Sequence, residues 1–310
     1  MENAAPLNGI IIVDKPTDFT SFDVCAKLRG MLKTKKIGHT GTLDPMATGV
    51  LTVMLGNATK ALDLIPIHDK EYIAGFKLGL TTDTLDIWGE VRESRTPFVK
   101  EDEILSSLTR FTGEIEQIPP MYSAVKIDGK RLYDIARSGE TVERPSRTVT
   151  VYSLELLSFC EETGEGELRC SCSKGTYIRT LIADMGELLS CGAVMTKLRR
   201  TNACGFGIEN AFTLSELQKL KDEGSIYKAI IPTERLFDSL KKVGITAPQA
   251  VRYSNGGELS LDRLNRPPAD FADGELVTVY GSPTGGERQF MGLSVVSREK
   301  GMLLVKKRFS

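Results

Sequence analysis

Histidine and tryptophan are nearly missing from this sequence: it has two histidines, His39 and His68, and one tryptophan, Trp88. A histidine-based zinc site or a Ser-His-Asp hydrolase therefore has almost nothing to be built from. None of the six cysteines, at 25, 160, 170, 172, 191 and 204, forms a Cys-x-x-Cys pair. They read as reduced, buried thiols of a cytosolic protein, with Cys170 and Cys172 on one side of a strand. No run of about 18 apolar residues occurs, which excludes a membrane-spanning helix. Met1-Glu2-Asn3 lacks the basic flank and apolar stretch of a signal peptide, so cytoplasmic residence is expected. Internal repeats and low-complexity tracts are also missing. A charge excess is lacking as well: the net charge is −1, against the usual basic balance of a nucleic-acid-binding domain.

Local charge tells more. Five basic residues (Lys27, Arg29, Lys33, Lys35, Lys36) and no acidic one lie between Cys25 and His39. A second cluster holds Lys126, Lys130, Arg131, Arg137, Arg144 and Arg147, with four acids interleaved. Lys197, Arg199 and Arg200 form a third, while Glu161, Glu162, Glu165 and Glu167 gather elsewhere. One such cluster is ordinary solvated surface. Three of them beside candidate site residues point to a basic face that binds phosphates with strong salt dependence.

The chain has 310 residues, 41% hydrophobic and 26% charged, enough for roughly two domains. Gly9–Val13 reads as a buried strand. Thr20-Ser21 opens a helix with Phe22, Cys25, Leu28 and Leu32 on one face. Val50–Leu55 reads as a strand, and alternation from Tyr72 to Leu80 gives another, with Tyr72 at its start on the apolar side. Helical spacing covers Glu101–Phe111, and a short helix closed by Gly139 follows a basic loop. Residues 148–158 and 167–173 read as paired strands. A helical stripe then runs through Ile178, Leu181, Ile182, Met185, Leu188 and Leu189. Without regular βαβ alternation the class is α+β with a mixed, largely antiparallel sheet. Past a boundary between about 230 and 245, three short strands separated by Gly/Ser/Pro turns make a small β-rich domain.

The densest chemistry lies in Gly38-His-Thr-Gly-Thr-Leu-Asp-Pro-Met-Ala-Thr-Gly49, where three glycines and Asp44-Pro45 mark a loop too polar for a core strand. Such a loop displays Asp44 between ordered elements. A turn-capping aspartate before proline would look the same, and on spacing alone the two readings stand level.

This wording resembles the signature of the TruB family of pseudouridine synthases, which convert uridine-55 in the T arm of transfer RNA to pseudouridine. The resemblance implies that Asp44 is the catalytic nucleophile. Tyr72, in Lys70-Glu-Tyr, matches the active-site tyrosine that stacks on the uracil and could assist removal of the C5 proton; its other role is core packing. Ser173-Lys-Gly-Thr-Tyr-Ile-Arg-Thr180 matches a second motif. It implies that Arg179 pairs with the carboxylate and that Tyr177 lines the base pocket. Leu198, in Lys197-Leu-Arg-Arg, would close that pocket, though leucine is far more often plain core. His39 would contact the displaced nucleotide, and Lys15, in Lys15-Pro16, would contact phosphate or support the fold. Asp83 and Asp86 look like turn residues, which the family does not use as nucleophiles.

Pro119–Lys126 with Lys130–Arg137 matches the mobile segment, about 117–147, with which bacterial members grip the T loop, so Lys126, Lys130 and Arg131 are candidate RNA contacts. The implied architecture is a catalytic domain over 1–238 and a PUA-like RNA-binding domain over 239–310. The implied partner is transfer RNA, with no cofactor, metal, membrane or protein partner, acting as a monomer. The target base must be extruded into a pocket, and a carboxylate ionised at neutral pH suits the nucleophile's task. Two other readings compete. One is an RNA chaperone that refolds the arm. The other is a guide-dependent, dyskerin-type subunit, whose relatives share the aspartate loop but differ in the gripping segment.

Overall fold

A computed structural model describes residues 7–123, 125–127, 129–265 and 270–309. The apolar opening run becomes β1 (Gly9–Lys15), in which Ile10 to Val13 are all fully buried. Burial on both faces explains why this strand shows no alternation: Ile10 and Ile12 join one core, Ile11 and Val13 another. Thr20 caps α1 (Ser21–Leu32) through a reciprocal capping box with Asp23. The buried face of α1 carries Val24, Cys25, Leu28 and Met31, whereas Phe22 is exposed. At helical pitch Phe22 falls outside that stripe, under the Arg29 guanidinium, which corrects the expected facing.

After β2 (Ile37–His39) and β3 (Thr48–Leu55) comes β4 (Lys70–Leu78), with Tyr72, Ala74, Phe76 and Leu78 buried toward one core. Gly79, at φ +80°, ends it, so Leu80 belongs to a separate hairpin of β5 (Leu80–Thr82) and β6 (Val91–Ser94). Next come α2 (Glu101–Leu108), β7 (Gly113–Gln117), the small pair β8 (Lys126–Ile127) and β9 (Lys130–Arg131), and α3 (Leu132–Arg137). Then follow β10 (Arg147–Cys160), β11 (Glu165–Cys172), α4 (Ile178–Leu188), β12 (Ala193–Ala203), β13 (Phe206–Gly207) and α5 (Leu214–Asp222).

The main sheet runs β1-β3-β12-β4-β11-β10-β7, with β2 on β3 and β13 on β12. Every pair along that path is antiparallel except β3 with β12, which are parallel at Arg199–Thr48 and Arg200–Gly49. Helix α4 packs on β4, β11 and β12 through Leu181, Ile182 and Met185. Helices α1 and α5 cover β1 and β3.

Beyond residue 240, β14 (Lys242–Gly244), α6 (Ala247–Ser254), β15 (Leu259–Ser260), β16 (Leu276–Gly281), β17 (Gln289–Ser297) and β18 (Met302–Arg308) form a second sheet in the order β14-β16-β17-β18-β15. It closes its own core around Tyr253, Val277 and Val279. Phe237 stacks on Phe290 and lies against Phe309, joining this sheet to the main body. Among the described residues no helix is long and apolar enough to cross a membrane, and no cluster of ligating side chains could hold a metal ion.

Candidate active site

Asp44 sits on the loop between β2 and β3. The loop turns at Asp44-Pro45-Met46-Ala47, where the Ala47 N–H donates to the Asp44 carbonyl at 3.0 Å. Aspartate first and proline second suit such a turn. The turn uses only the aspartate's backbone, which leaves the carboxylate free. The loop is fastened from outside: the Leu43 N–H donates to Ser21 Oγ at 2.8 Å, and the Asp18 N–H donates to the Pro45 carbonyl at 3.0 Å.

Arg179, 5% exposed near the start of α4, is the hub of the site. Its Nη2 lies 3.0 Å from Asp44 Oδ2 and donates at 2.9 Å to the Tyr122 carbonyl. Its Nη1 donates at 3.0 Å to the Thr84 carbonyl and lies 3.5 Å from Asp86 Oδ2. Asp86 also accepts from Thr84 Oγ1 at 2.7 Å and from the Trp88 N–H at 3.1 Å. Burial raises its pKa, against the pull of the Thr84 hydroxyl and the Arg179 charge. The turn that presents Asp86 holds Leu85 at φ +64°, a conformation that costs a bulky residue about 1 kcal/mol or more. Sequence reasoning set Asp86 aside as a turn residue. It is one, and it is also the second carboxylate of the arginine cluster.

Tyr72 and Leu198 belong to the apolar core beside this cluster, 6% and 8% exposed, alongside Leu43 and Ala47 of the loop. Burial pushes the Tyr72 hydroxyl up to about 12, against the pull of the nearby Arg200 cation, so it is a neutral phenol at pH 7. Tyr177 is half-buried at the N-cap of α4. Its peptide is held in both directions by the side chain of Gln117: the Tyr177 N–H donates to Oε1 at 2.7 Å, and Nε2 donates to the Tyr177 carbonyl at 3.0 Å. Gln117, 2% exposed at the end of β7, has no sequence signal beyond opening the Ile-Pro-Pro segment.

Of the two roles expected of Lys15, the structure corrects the phosphate contact and bears out support of the fold. Lys15 is fully buried, and Nζ donates to the Pro16, Phe19 and Pro45 carbonyls at 2.9, 2.5 and 3.0 Å. All three ammonium protons are engaged, so Lys15 ties the loop to the end of β1 and is not placed to take a phosphate. Burial lowers its pKa to about 8, and Asp44 draws it back upward. The third basic cluster is corrected as well. Lys197 is exposed and pairs with Glu167, Arg199 pairs with Asp14 at 2.8 Å, and Arg200 is fully buried.

His39 is half-buried on β2, with an enclosed Nδ1 that has no hydrogen-bond partner among the described residues. Burial and the Arg200 charge lower its pKa, which keeps the imidazole neutral. In the segment expected to grip RNA, Lys130 is exposed, while Ala124 and the side chains of Lys126 and Arg131 lie outside the described residues. The segment begins at the site: Tyr122 gives its carbonyl to Arg179, and its hydroxyl lies 3.4 Å from Asp83.

Two family models match the chain in succession. One, described as TruB family pseudouridylate synthase (N terminal domain), covers residues 29–178, and the other, tRNA pseudouridylate synthase B C-terminal domain, covers 179–238. Among curated proteins, the tRNA pseudouridine synthase B of Clostridium tetani is 41% identical over 97% of this chain and 99% of its own length. That of Dechloromonas aromatica is 42% identical over 90% and 93%. Among solved structures, a chain in a Cbf5–Nop10–Gar1 complex aligns with a TM-score of 0.73 at 30% identity, covering 97% of this chain and 85% of that one. A chain of an H/ACA RNP bound to a substrate RNA containing 2′-deoxyuridine aligns with a TM-score of 0.72 at 27% identity, covering 97% and 85%.

Proposed function

Because the chain belongs to the TruB family of pseudouridylate synthases, we propose that it isomerises uridine-55 in the T arm of transfer RNA, with Asp44 as nucleophile. The observation that carries this reading is the Asp44–Arg179 ion pair at 3.0 Å, set beside the apolar wall of Tyr72 and Leu198. A carboxylate held by a guanidinium on one side keeps its second oxygen for the substrate. The extruded uracil stacks on Tyr72 and is enclosed by Leu198 and Tyr177, while His39 meets the nucleotide the base has left. As a neutral phenol, Tyr72 serves by its ring face and as a hydrogen-bonding group. Such a reaction breaks a glycosidic bond and makes a carbon–carbon bond with no net redox change.

Lys126, Lys130 and Arg131 take the RNA backbone, joined by the exposed lysines that follow α1. Residues 1–238 act as the catalytic unit and 239–310 as a PUA-like RNA-binding module. The end of the second family match at 238 and the separate core of the second sheet support that division. In this reading the chain acts as a monomer without a protein partner. A transfer RNA substrate supports cytoplasmic residence.

The similarity to chains of the H/ACA type favours one competitor, a guide-dependent subunit. Release of tritium from a C5-labelled uridine in an isolated T-arm hairpin by the purified chain tests both. Turnover without guide or partner is expected, and its absence would sink the stand-alone reading. Asp44→Asn is expected to bind the hairpin yet release no tritium. Retained RNA refolding by that variant would reveal a chaperone activity beside the catalytic one.

A further inference from the structure

Arg200 is the largest fully buried side chain of the described residues, and it lies beneath the Asp44 loop. Its Nε donates to the Val50 carbonyl at 2.7 Å, its Nη2 to the Gly41 carbonyl at 3.1 Å, and its Nη1 reaches the Thr42 carbonyl at 3.5 Å. Gly41 and Thr42 precede Asp44, and Val50 follows it, so one guanidinium spans both ends of the loop.

We propose that Arg200 is a positioning residue, a staple that closes the base of this loop and so fixes where the Asp44 carboxylate stands against Arg179. The proposal rests on the reading of Asp44 as nucleophile. The backbone is built around the staple. Arg200 faces Gly49 in the parallel pairing of β3 with β12, and Gly49 has φ +99°. A Cβ on Gly49 would collide with the Arg200 backbone, so β3 and β12 approach there as only glycine allows.

Core packing alone explains Arg200 poorly. Among the described residues it makes no ion pair with a carboxylate, and a buried cation without one carries a desolvation cost that an apolar residue of similar volume would not. What an apolar residue lacks is three donors in a fixed fork. Lysine, a single point of charge, cannot hold both ends of the loop at once. Burial lowers the pKa values of Lys15, His39 and Lys70, and the Arg200 charge adds to each of these shifts. A staple of this kind sets a distance, and a misplacement of about 1 Å at a reacting group is enough to cost about 100-fold in rate.

The test uses the full chain with Arg200→Lys and Arg200→Met. Three quantities are measured: thermal unfolding, hairpin affinity from the anisotropy of a labelled T-arm hairpin, and tritium release in a single turnover at saturating enzyme. Arg200→Lys is expected to bind within roughly threefold of wild type while the saturating rate falls about 100-fold, a loss in the chemical step that a packing defect would not isolate. A folded Arg200→Lys whose saturating rate stays within roughly threefold of wild type would overturn the proposal, as would a rate loss equal to the unfolded fraction. Should neither variant fold, nitrogen-15 arginine spectra of the wild-type protein decide. A protected Arg200 Nε–H, unchanged when hairpin binds, supports a preformed staple, and exchange as fast as that of free arginine refutes it. Wild-type tritium release and its loss in Asp44→Asn report separately on the function itself.

Discussion

Arg179 gives one terminal nitrogen to Asp44 and the other to Asp86, and the two carboxylates differ in how far they stand from water. The Asp44 side chain is 38% exposed and that of Asp86 is 7%. The open carboxylate is the one a substrate can reach, and the buried one anchors the guanidinium from behind. Asp86→Asn keeps the shape but removes the anchoring charge, so Arg179 is held at that side only by the Thr84 carbonyl. The expected outcome is a fall of about 10- to 100-fold in single-turnover tritium release with hairpin affinity unchanged. A fall in affinity with an intact rate would count against this anchoring role. Tyr72→Phe keeps the ring and removes only a neutral hydroxyl, so it should bind the hairpin as wild type does; quenched binding assays with labelled hairpin check this.

Single side chains also act by fixing whole elements. Gln117 makes two hydrogen bonds to the Tyr177 peptide and so joins the end of β7 to the N-terminus of α4, two residues ahead of Arg179. Gln117→Ala leaves the Tyr177 N–H without its acceptor, while the Tyr177 carbonyl keeps the Leu181 N–H at 3.1 Å, at a cost of about 1–3 kcal/mol. Urea unfolding should show that loss, and amide exchange should quicken first at residues 177–181.

Helix α4 also carries a pH dependence. Burial, and then the charge of Glu187, push Asp184 up to about 6. The folded protein therefore binds this proton more tightly than the unfolded chain. The stability it contributes is complete below about pH 4 and is lost as pH rises through about 6. Asp184→Asn should exceed wild type by about 1 kcal/mol at pH 7, a figure reduced because water partly screens the group. The difference should shrink toward zero at pH 4, as urea midpoints at the two values would show.

At the scale of the molecule, two separately cored sheets meet through an aromatic joint. Phe237 is fully buried, stacked on Phe290 and set against Phe309 near the end of the chain. Phe237→Ala removes a large ring from a place where neighbours on two sheets cannot both close in, which costs about 3–5 kcal/mol. The expected result is a second, earlier transition in thermal unfolding, with activity on full transfer RNA reduced more than activity on the isolated hairpin. Equal loss on both substrates would mean that the second sheet does not help hold transfer RNA.

The sequence by itself determined the locally patterned elements and the identity of the chemistry, but not strands such as β7 and β12. Alternation in β4, β10 and β11, the capping pair at Thr20 and the stripe of α4 are local patterns, because strand and helix periods are written into neighbouring residues. The dozen residues around Asp44 were likewise legible, since the resemblance lies in consecutive letters. Tertiary structure decided what depends on pairs far apart in the chain. Asp86 lies 93 positions from Arg179 and Gln117 60 from Tyr177, and nothing in a local pattern links them. Lys15 could be read as a phosphate contact or a fold support, and Arg200 as part of a basic face; only the fold shows that each is buried and spent on backbone carbonyls. A hydrogen-bond donor is read from its letter, but its acceptor is set by which strands become neighbours.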